Sequence, residues 1–109
     1  MEIRFANPIH PGEMLREEFM EPLKLSAGKL AKAIGVPRTR IERLVREETN
    51  LSLDTAVRLS RYFKLSEGFW MRMQTSYELD CLHANKKRLA ALDKIEPLER
   101  PDLEGQEAA

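Results

Sequence analysis

Residues 26–46 constrain the fold of this 109-residue chain more than any other stretch. They read SAGKLAKAIGVPRTRIERLVR, two short apolar stripes at helical spacing separated by Gly35, Val36 and Pro37. Glycine readily adopts the positive φ that ends a helix, and proline suits the first turn of the next helix. The stretch therefore predicts a helix-turn-helix, whose second helix would lie in the major groove of DNA. The apolar residues are Ala27, Leu30, Ala31 and Ile34, followed by Ile41, Leu44 and Val45.

The outward face of the second helix carries side chains that can bind DNA. Arginine can bond guanine O6 and N7 together, and threonine can bond a base edge or touch a thymine methyl. We expect Thr39 and Arg43 to read bases, with Arg38 and Glu42 as further candidates. The expected phosphate contacts are Lys29, Lys32, Arg40 and Arg46. The alternative is a solvated charged face, in which Glu42 pairs with Arg38 and Arg46 at i±4.

Charge is unevenly distributed along a chain whose net charge is zero. Residues 24–46 contain seven basic side chains and one acidic one, whereas residues 1–23 and 93–109 are both net acidic. A basic block in a neutral chain is typical of a surface that faces phosphates. The acidic ends indicate either a second, basic partner or a contribution to solubility.

Several classes of protein fit this sequence poorly. Cys81 is the only cysteine, so we expect a small buried side chain and a reducing cytoplasmic location. No apolar run approaches the ~20 residues that cross a bilayer, and no leader segment is evident, so we expect a soluble protein. His10 and His83 lie far apart in the pattern, with no spacing typical of a catalytic triad or metal site. An enzyme is not expected, nor is a cofactor.

The remaining segments predict an all-α fold of five helices over residues 1–92, with an extended N-terminal arm and a flexible acidic tail at 93–109. Ser26 and Ser52 are candidate N-caps. Asn50 is the expected left-handed residue in the connection after the helix-turn-helix. A helix opening at Pro11 has an acidic face formed by Glu13, Glu17, Glu18 and Glu21. The fourth helix is expected to turn Leu53, Ala56, Val57, Leu59 and Phe63 toward the core.

The last predicted helix is long and has two apolar stripes. The first stripe is Trp70, Met73, Tyr77 and Cys81, and the second is Leu79, Leu82, Leu89 and Leu92. A small domain needs only one of them. The second stripe therefore indicates either a break near Asn85 or a surface buried against another subunit. We expect a homodimer joined through these four leucines.

Five segments carry a resemblance to a known family: PIHPGE at 8–13, LREEF at 15–19, the helix-turn-helix at 30–45, DTAVRLSRYF at 54–63, and Phe69-Trp70 with Gln74, Tyr77 and Leu79. Together they resemble the HigA-type antitoxins, or VapI family, within the phage-repressor-like (XRE) group of helix-turn-helix proteins. The resemblance covers roughly residues 8–82. Two departures are the absence of the usual glycine after the second helix and Glu67 where a proline often follows Ser66.

The resemblance implies a λ-repressor-like fold and a dimeric repressor of its own double-stranded operator DNA. It also implies neutralisation of a small basic toxin, a RelE-like ribonuclease encoded next to it. We favour the glutamates of the first helix as the toxin-binding surface over the tail, because ordered carboxylates lose less entropy on docking. Two alternatives stay open: a stand-alone repressor without a toxin, and an interaction module that has lost DNA binding. The arginines of residues 38–46 argue against the second alternative. The tail carboxylates are Glu96, Glu99, Asp102, Glu104 and Glu107.

Overall fold

A computed structural model describes residues 8–99, which form six helices. The all-α prediction is confirmed, and the predicted long last helix is divided at Asn85. The arm at residues 1–7 and most of the predicted tail, residues 100–109, lie outside the described residues. Helix α1 joins an α-helical turn Pro11–Met14, a π-helical stretch Leu15–Met20 and a final turn Glu21–Leu23. The others are α2 (Ala27–Ile34), α3 (Arg38–Val45), α4 (Leu53–Tyr62), α5 (Phe69–Ala84) and α6 (Lys86–Leu92).

Helix α1 begins with a buried cap and widens in its middle. The His10 Nδ1 atom accepts a hydrogen bond of 2.9 Å from the Gly12 N–H, so His10 starts the helix. Further on, the Glu21 N–H donates to the carbonyl of Arg16, five residues back. Pro22 follows directly, and in a regular α-helix its ring would crowd the carbonyl four residues earlier. The wide π turn therefore lies where the chain has to accommodate a proline without ending the helix.

The predicted N-caps of α2 and α4 are confirmed. Ser26 Oγ accepts from the Lys29 N–H at 3.1 Å, and Ser52 Oγ accepts from the Thr55 N–H at 3.2 Å. Gly35 has φ 74° and ends α2. Pro37 is the N-cap residue of α3, immediately before its first helical residue. Gly35 and Pro37 thus lie at the two ends of the turn between α2 and α3.

The left-handed residue after α3 is Glu47, with φ 62°, and the prediction of Asn50 was wrong. The Glu47 N–H bonds to the Leu44 carbonyl at 2.9 Å, and the Glu48 N–H bonds to the Arg43 carbonyl at 3.0 Å. This pair of bonds forms a Schellman motif, which reverses the chain at the first residue beyond the helix end. The chain thus turns before it reaches Asn50. The same motif, again without glycine, ends α1 at Lys24 and α4 at Lys64.

Trp70 lies at the centre of the core and is fully buried. Phe19 packs against the rings of Phe63 and Trp70, with centroid distances of 4.7 and 5.1 Å. The prediction that Leu53 faces this core was wrong, because its side chain is 65% exposed. It occupies the first turn of α4, at the margin of the buried face. The other large apolar side chains with no exposure are Leu15, Leu30, Ile41 and Leu59.

The carboxy-terminal half of α5 and all of α6 lie outside this core. Asn85 interrupts the helix, and its Oδ1 atom accepts from the Arg88 N–H at 3.0 Å to cap α6. The second apolar stripe is therefore both broken and solvent-facing. Leu79 and Leu92 are 43% and 40% exposed, while Leu82 and Leu89 are half-buried. Cys81 is half-buried rather than buried.

Within residues 8–99, no helix has the length and apolar character needed to cross a membrane.

Candidate nucleic-acid interface

Helix α3 is fixed by one face and presents the other to solvent. Ile41 is fully buried and Leu44 is 2% exposed, so these two side chains set the rotation of the helix. The opposite face carries the residues predicted to bind DNA. Glu42 is half-buried, and the other candidates on α3 or at its end are exposed, namely Arg38, Thr39, Arg40, Arg43 and Arg46. The two candidates on α2, Lys29 and Lys32, are exposed as well.

An open cleft of about 460 Å³ lies between α3 and the connection to α4. Thr39, Arg40 and Arg43 form its α3 side. The connection contributes further polar side chains that sequence reasoning missed as site residues, namely Thr49, Asn50 and Ser52. The sequence feature that could have indicated them is a run of residues with hydrogen-bonding side chains directly after the helix-turn-helix. The cleft thus combines donors and acceptors of two elements along one edge of α3.

Three of the α3 arginines lie beside carboxylates. Arg38 Nε is 3.2 Å from Glu42, as the i,i+4 alternative predicted, and Arg40 Nη1 is 3.1 Å from Asp54. Arg43 Nε is 4.0 Å from Glu48. Exposed pairs of this kind contribute about 0–1 kcal/mol, so a phosphate or a base edge can replace such a carboxylate. The pairing orients the guanidinium groups without removing them from the surface.

Lys29, Lys32 and Arg46 differ from those arginines in their surroundings. Among residues 8–99, no carboxylate lies within 4 Å of any of their charged groups, so the Glu42–Arg46 pairing of the alternative does not form. An exposed cation without such a neighbour can move to meet a phosphate. Side chains of this kind can make the phosphate contacts that position a protein on a duplex.

Two long-range contacts hold the ends of this surface in place. At the carboxy-terminal end of α3, the Arg16 guanidinium of α1 donates to the Val45 carbonyl and lies 3.6 Å from Glu47. Below the connection, buried Gln74 of α5 accepts from the Leu51 N–H through Oε1 at 2.8 Å. Sequence reasoning missed both, because each joins residues more than twenty positions apart.

The acidic face of α1 lies apart from the cleft. Glu17, Glu18 and Glu21 are exposed and Glu13 is half-buried. Glu17 is 3.3 Å from Arg16, the same side chain that contacts the end of α3. The two surfaces singled out in the sequence are therefore connected through a single arginine.

Known helix-turn-helix proteins are similar to this chain in sequence and fold. The helix-turn-helix family profile matches residues 17–70. The chain is 47% identical over 81 residues to virulence-associated protein I of Dichelobacter nodosus, covering 74% of this chain and 75% of that protein.

Two solved structures are similar along most of the chain. The structure of the Pseudomonas aeruginosa antitoxin HigA with the higBA promoter is 42% identical, with a TM-score of 0.73, and covers 85% of this chain and 100% of that one. Antitoxin GraA in complex with its operator is 32% identical, with a TM-score of 0.77, and covers 92% and 99%. Both structures belong to a family of DNA-binding antitoxins rather than enzymes. The chain therefore belongs to the XRE-type helix-turn-helix family that includes the HigA antitoxins and virulence-associated protein I.

Proposed function

We propose that this protein is an antitoxin that represses its own operator as a dimer and neutralises a small basic RelE-like ribonuclease toxin. The observation that carries the proposal is the exposed face of α3, with Thr39, Arg40 and Arg43 along one cleft. The structures of HigA with a promoter and of GraA with its operator support the repressor half, because both are similar along nearly their whole length.

DNA reading is assigned to the amino-terminal half of α3 and the middle of its outward face. In helix-turn-helix proteins that part of the second helix reaches base edges. Thr39 and Arg43 line the cleft and would contact bases, with Arg38 and Glu42 beside them. Lys29, Lys32, Arg40 and Arg46 would hold phosphates on either side. This division separates contacts that specify a sequence from contacts that position the protein.

Dimerisation is assigned to the apolar surface of α5 and α6. Leu79, Leu82, Leu89 and Leu92 lie outside the monomer core, and burial of apolar surface is the dominant favourable term in most protein association. A second copy with the same surface is the partner of matching chemistry. Such a pair would set the two recognition helices about 34 Å apart, one turn of DNA, on a palindromic site.

Toxin binding is assigned to the acidic face of α1. A ribonuclease has to bind a polyanion and is expected to present a basic surface. The carboxylates of Glu17, Glu18 and Glu21 are exposed on an ordered helix and match such a surface in charge. Glu13 is half-buried and would contribute from the margin.

Co-expression with the neighbouring gene tests the toxin half of the proposal. The wild-type protein should relieve growth arrest caused by that gene, and a Glu18→Lys/Glu21→Lys variant should not. Glu17 is left unchanged because it pairs with Arg16. A matched Glu96→Lys/Glu99→Lys variant, which alters two exposed carboxylates after α6, should protect like the wild type.

The results separate the possible functions. Arrest that the wild type fails to relieve would leave a stand-alone repressor. Relief by the α1 variant but not by the Glu96/Glu99 variant would move the inhibitory surface to the carboxy-terminal segment.

A further inference from the structure

The first turn of α4 carries a carboxylate shared by two arginines. Both oxygens of Asp54 accept from Arg58 Nε at 3.1 Å. One of them also accepts from Arg40 Nη1, again at 3.1 Å. Asp54 therefore joins α4 to the outward face of α3, at a position that lines the cleft.

The same network reaches the end of α2. Arg58 Nη1 donates to the Ile34 carbonyl at 2.8 Å, which satisfies one of the carbonyls left free at the end of that helix. The turn is closely packed there, since a Cβ atom on Gly35 would lie 3.1 Å from Arg58 Nη1. One guanidinium and one carboxylate thus connect both helices of the helix-turn-helix to α4.

The charge on Asp54 is favoured by its neighbours. The hydrogen bond from Arg58 is the largest cause that holds the pKa of this carboxyl below its ordinary value, and Arg40 lowers the pKa further. Asp54 is therefore ionised at neutral pH. A fixed negative charge beside a surface meant for phosphates opposes non-specific attraction, and it also sets the direction of Arg40.

We propose that Asp54 is a specificity-determining residue, which restrains Arg40 so that the protein discriminates its operator from other DNA. Specificity is a difference between two affinities, and a protein can raise it by weakening the unwanted complex. An unrestrained Arg40 would meet a phosphate on any duplex. When Asp54 holds Arg40, the Arg40 guanidinium contributes its full binding energy only where the operator brings a phosphate to that fixed position. The inference rests on the proposed DNA-binding function.

The test compares Asp54→Asn with the wild type on two probes. One is the duplex that the wild type selects from a randomised pool, and the other is an unselected duplex of equal length. Affinity for the unselected duplex should rise about threefold or more, and its logarithmic salt slope should steepen by about 0.9, the effect of one added phosphate contact. Affinity for the selected duplex should change by less than about twofold, so the ratio of the two affinities falls.

Glu67→Gln is the matched control. Glu67 pairs with Arg61 at 3.4 Å near the opposite end of α4, so this change removes the same charge away from the cleft. It should leave the affinity ratio unchanged. In an Arg40→Gln background, Asp54→Asn should no longer alter the ratio, because the residue that it restrains is absent. Asp54→Ser gives a second neutral variant if Asp54→Asn does not fold, as judged by thermal unfolding.

The outcomes distinguish the inference from the function on which it rests. A selective wild type with an unchanged ratio in the folded Asp54 variant overturns the inference alone. The inference is also overturned if Glu67→Gln lowers the affinity ratio as much as Asp54→Asn does. The same holds if Asp54→Asn lowers the ratio in the Arg40→Gln background as much as it does in the wild type. A wild type that selects no duplex from the pool overturns the DNA-binding function itself.

Discussion

A Cβ atom placed on Gly12 would lie 1.8 Å from the carbonyl oxygen of Leu44, so α1 and α3 meet backbone to backbone. The same atom would lie 2.8 Å from the Leu44 carbonyl carbon. Real Cβ atoms do not come this close to main chain, and no side-chain rotation can relieve the contact. The absence of a side chain at Gly12 therefore sets the distance between α1 and α3.

Gly12→Ala should destabilise the protein by about 3 kcal/mol, because one of the two helices has to move. Urea unfolding followed by circular dichroism measures the loss. Gly28→Ala is the control, since a Cβ there meets Arg38 Cδ at an ordinary 3.8 Å. Its stability should equal that of the wild type or rise by up to about 1 kcal/mol. Equal stability of the two variants would contradict the close approach.

Lys64→Gly should stabilise the protein. Lys64 has φ 57° at the end of α4, a conformation that costs an ordinary residue about 1–2 kcal/mol. Glycine removes this cost but adds about 0.4–1 kcal/mol of unfolded-state entropy, leaving a net gain of up to about 1.6 kcal/mol. Ala33→Gly, at an exposed interior position of α2, should instead lose about 1 kcal/mol. The midpoint temperature of thermal unfolding should therefore rise in Lys64→Gly and fall in Ala33→Gly. Midpoints that move in the same direction would contradict this expectation.

Arg43→Ala should cost about 1–3 kcal/mol of operator affinity and relax specificity at one base pair. Lys32→Ala should weaken binding to all sequences alike and flatten the salt slope by about one unit. Fluorescence anisotropy with single-base operator variants at several salt concentrations distinguishes the two patterns. Operator affinity that stays within about twofold in Arg43→Ala would rule out base contact by this side chain.

Leu79→Glu should shift the protein from dimer to monomer, because a carboxylate would be buried in the proposed interface of α5 and α6. Sedimentation equilibrium at micromolar concentration measures the change. Leu23→Glu introduces the same charge at a leucine that is 58% exposed at the end of α1, and it should remain dimeric. A wild type that sediments as a monomer without DNA would exclude the proposed interface.

The parts of this fold that rest on short-range bonds could be predicted from the sequence. Ser26, Gly35 and Ser52 act through hydrogen bonds that span only three or four residues, and each has the expected role. The outward face of α3 followed from the periodicity of Ile41 and Leu44. Its DNA contacts stay a prediction, as do the dimer and toxin surfaces.

The parts that rest on tertiary contacts could not be predicted. The bond from Arg16 to the Val45 carbonyl joins residues 29 positions apart, and that from Arg58 to the Ile34 carbonyl joins residues 24 apart. Neither arginine has a local pattern that indicates a carbonyl partner. Glu47 was missed for a different reason, because the hydrogen bonds that end α3 override the intrinsic preference of Asn50 for a left-handed conformation.

The division of α3 into a buried face and an exposed face has a consequence for the evolution of such proteins. Ile41 and Leu44 anchor the helix, whereas Thr39 and Arg43 project from it without contributing to the core. On the proposed assignment of base contacts to Thr39 and Arg43, a duplicated copy could exchange these two residues and acquire a new target while it retained its folding stability. Paralogues in one genome could thereby come to bind different promoters through a few codon changes.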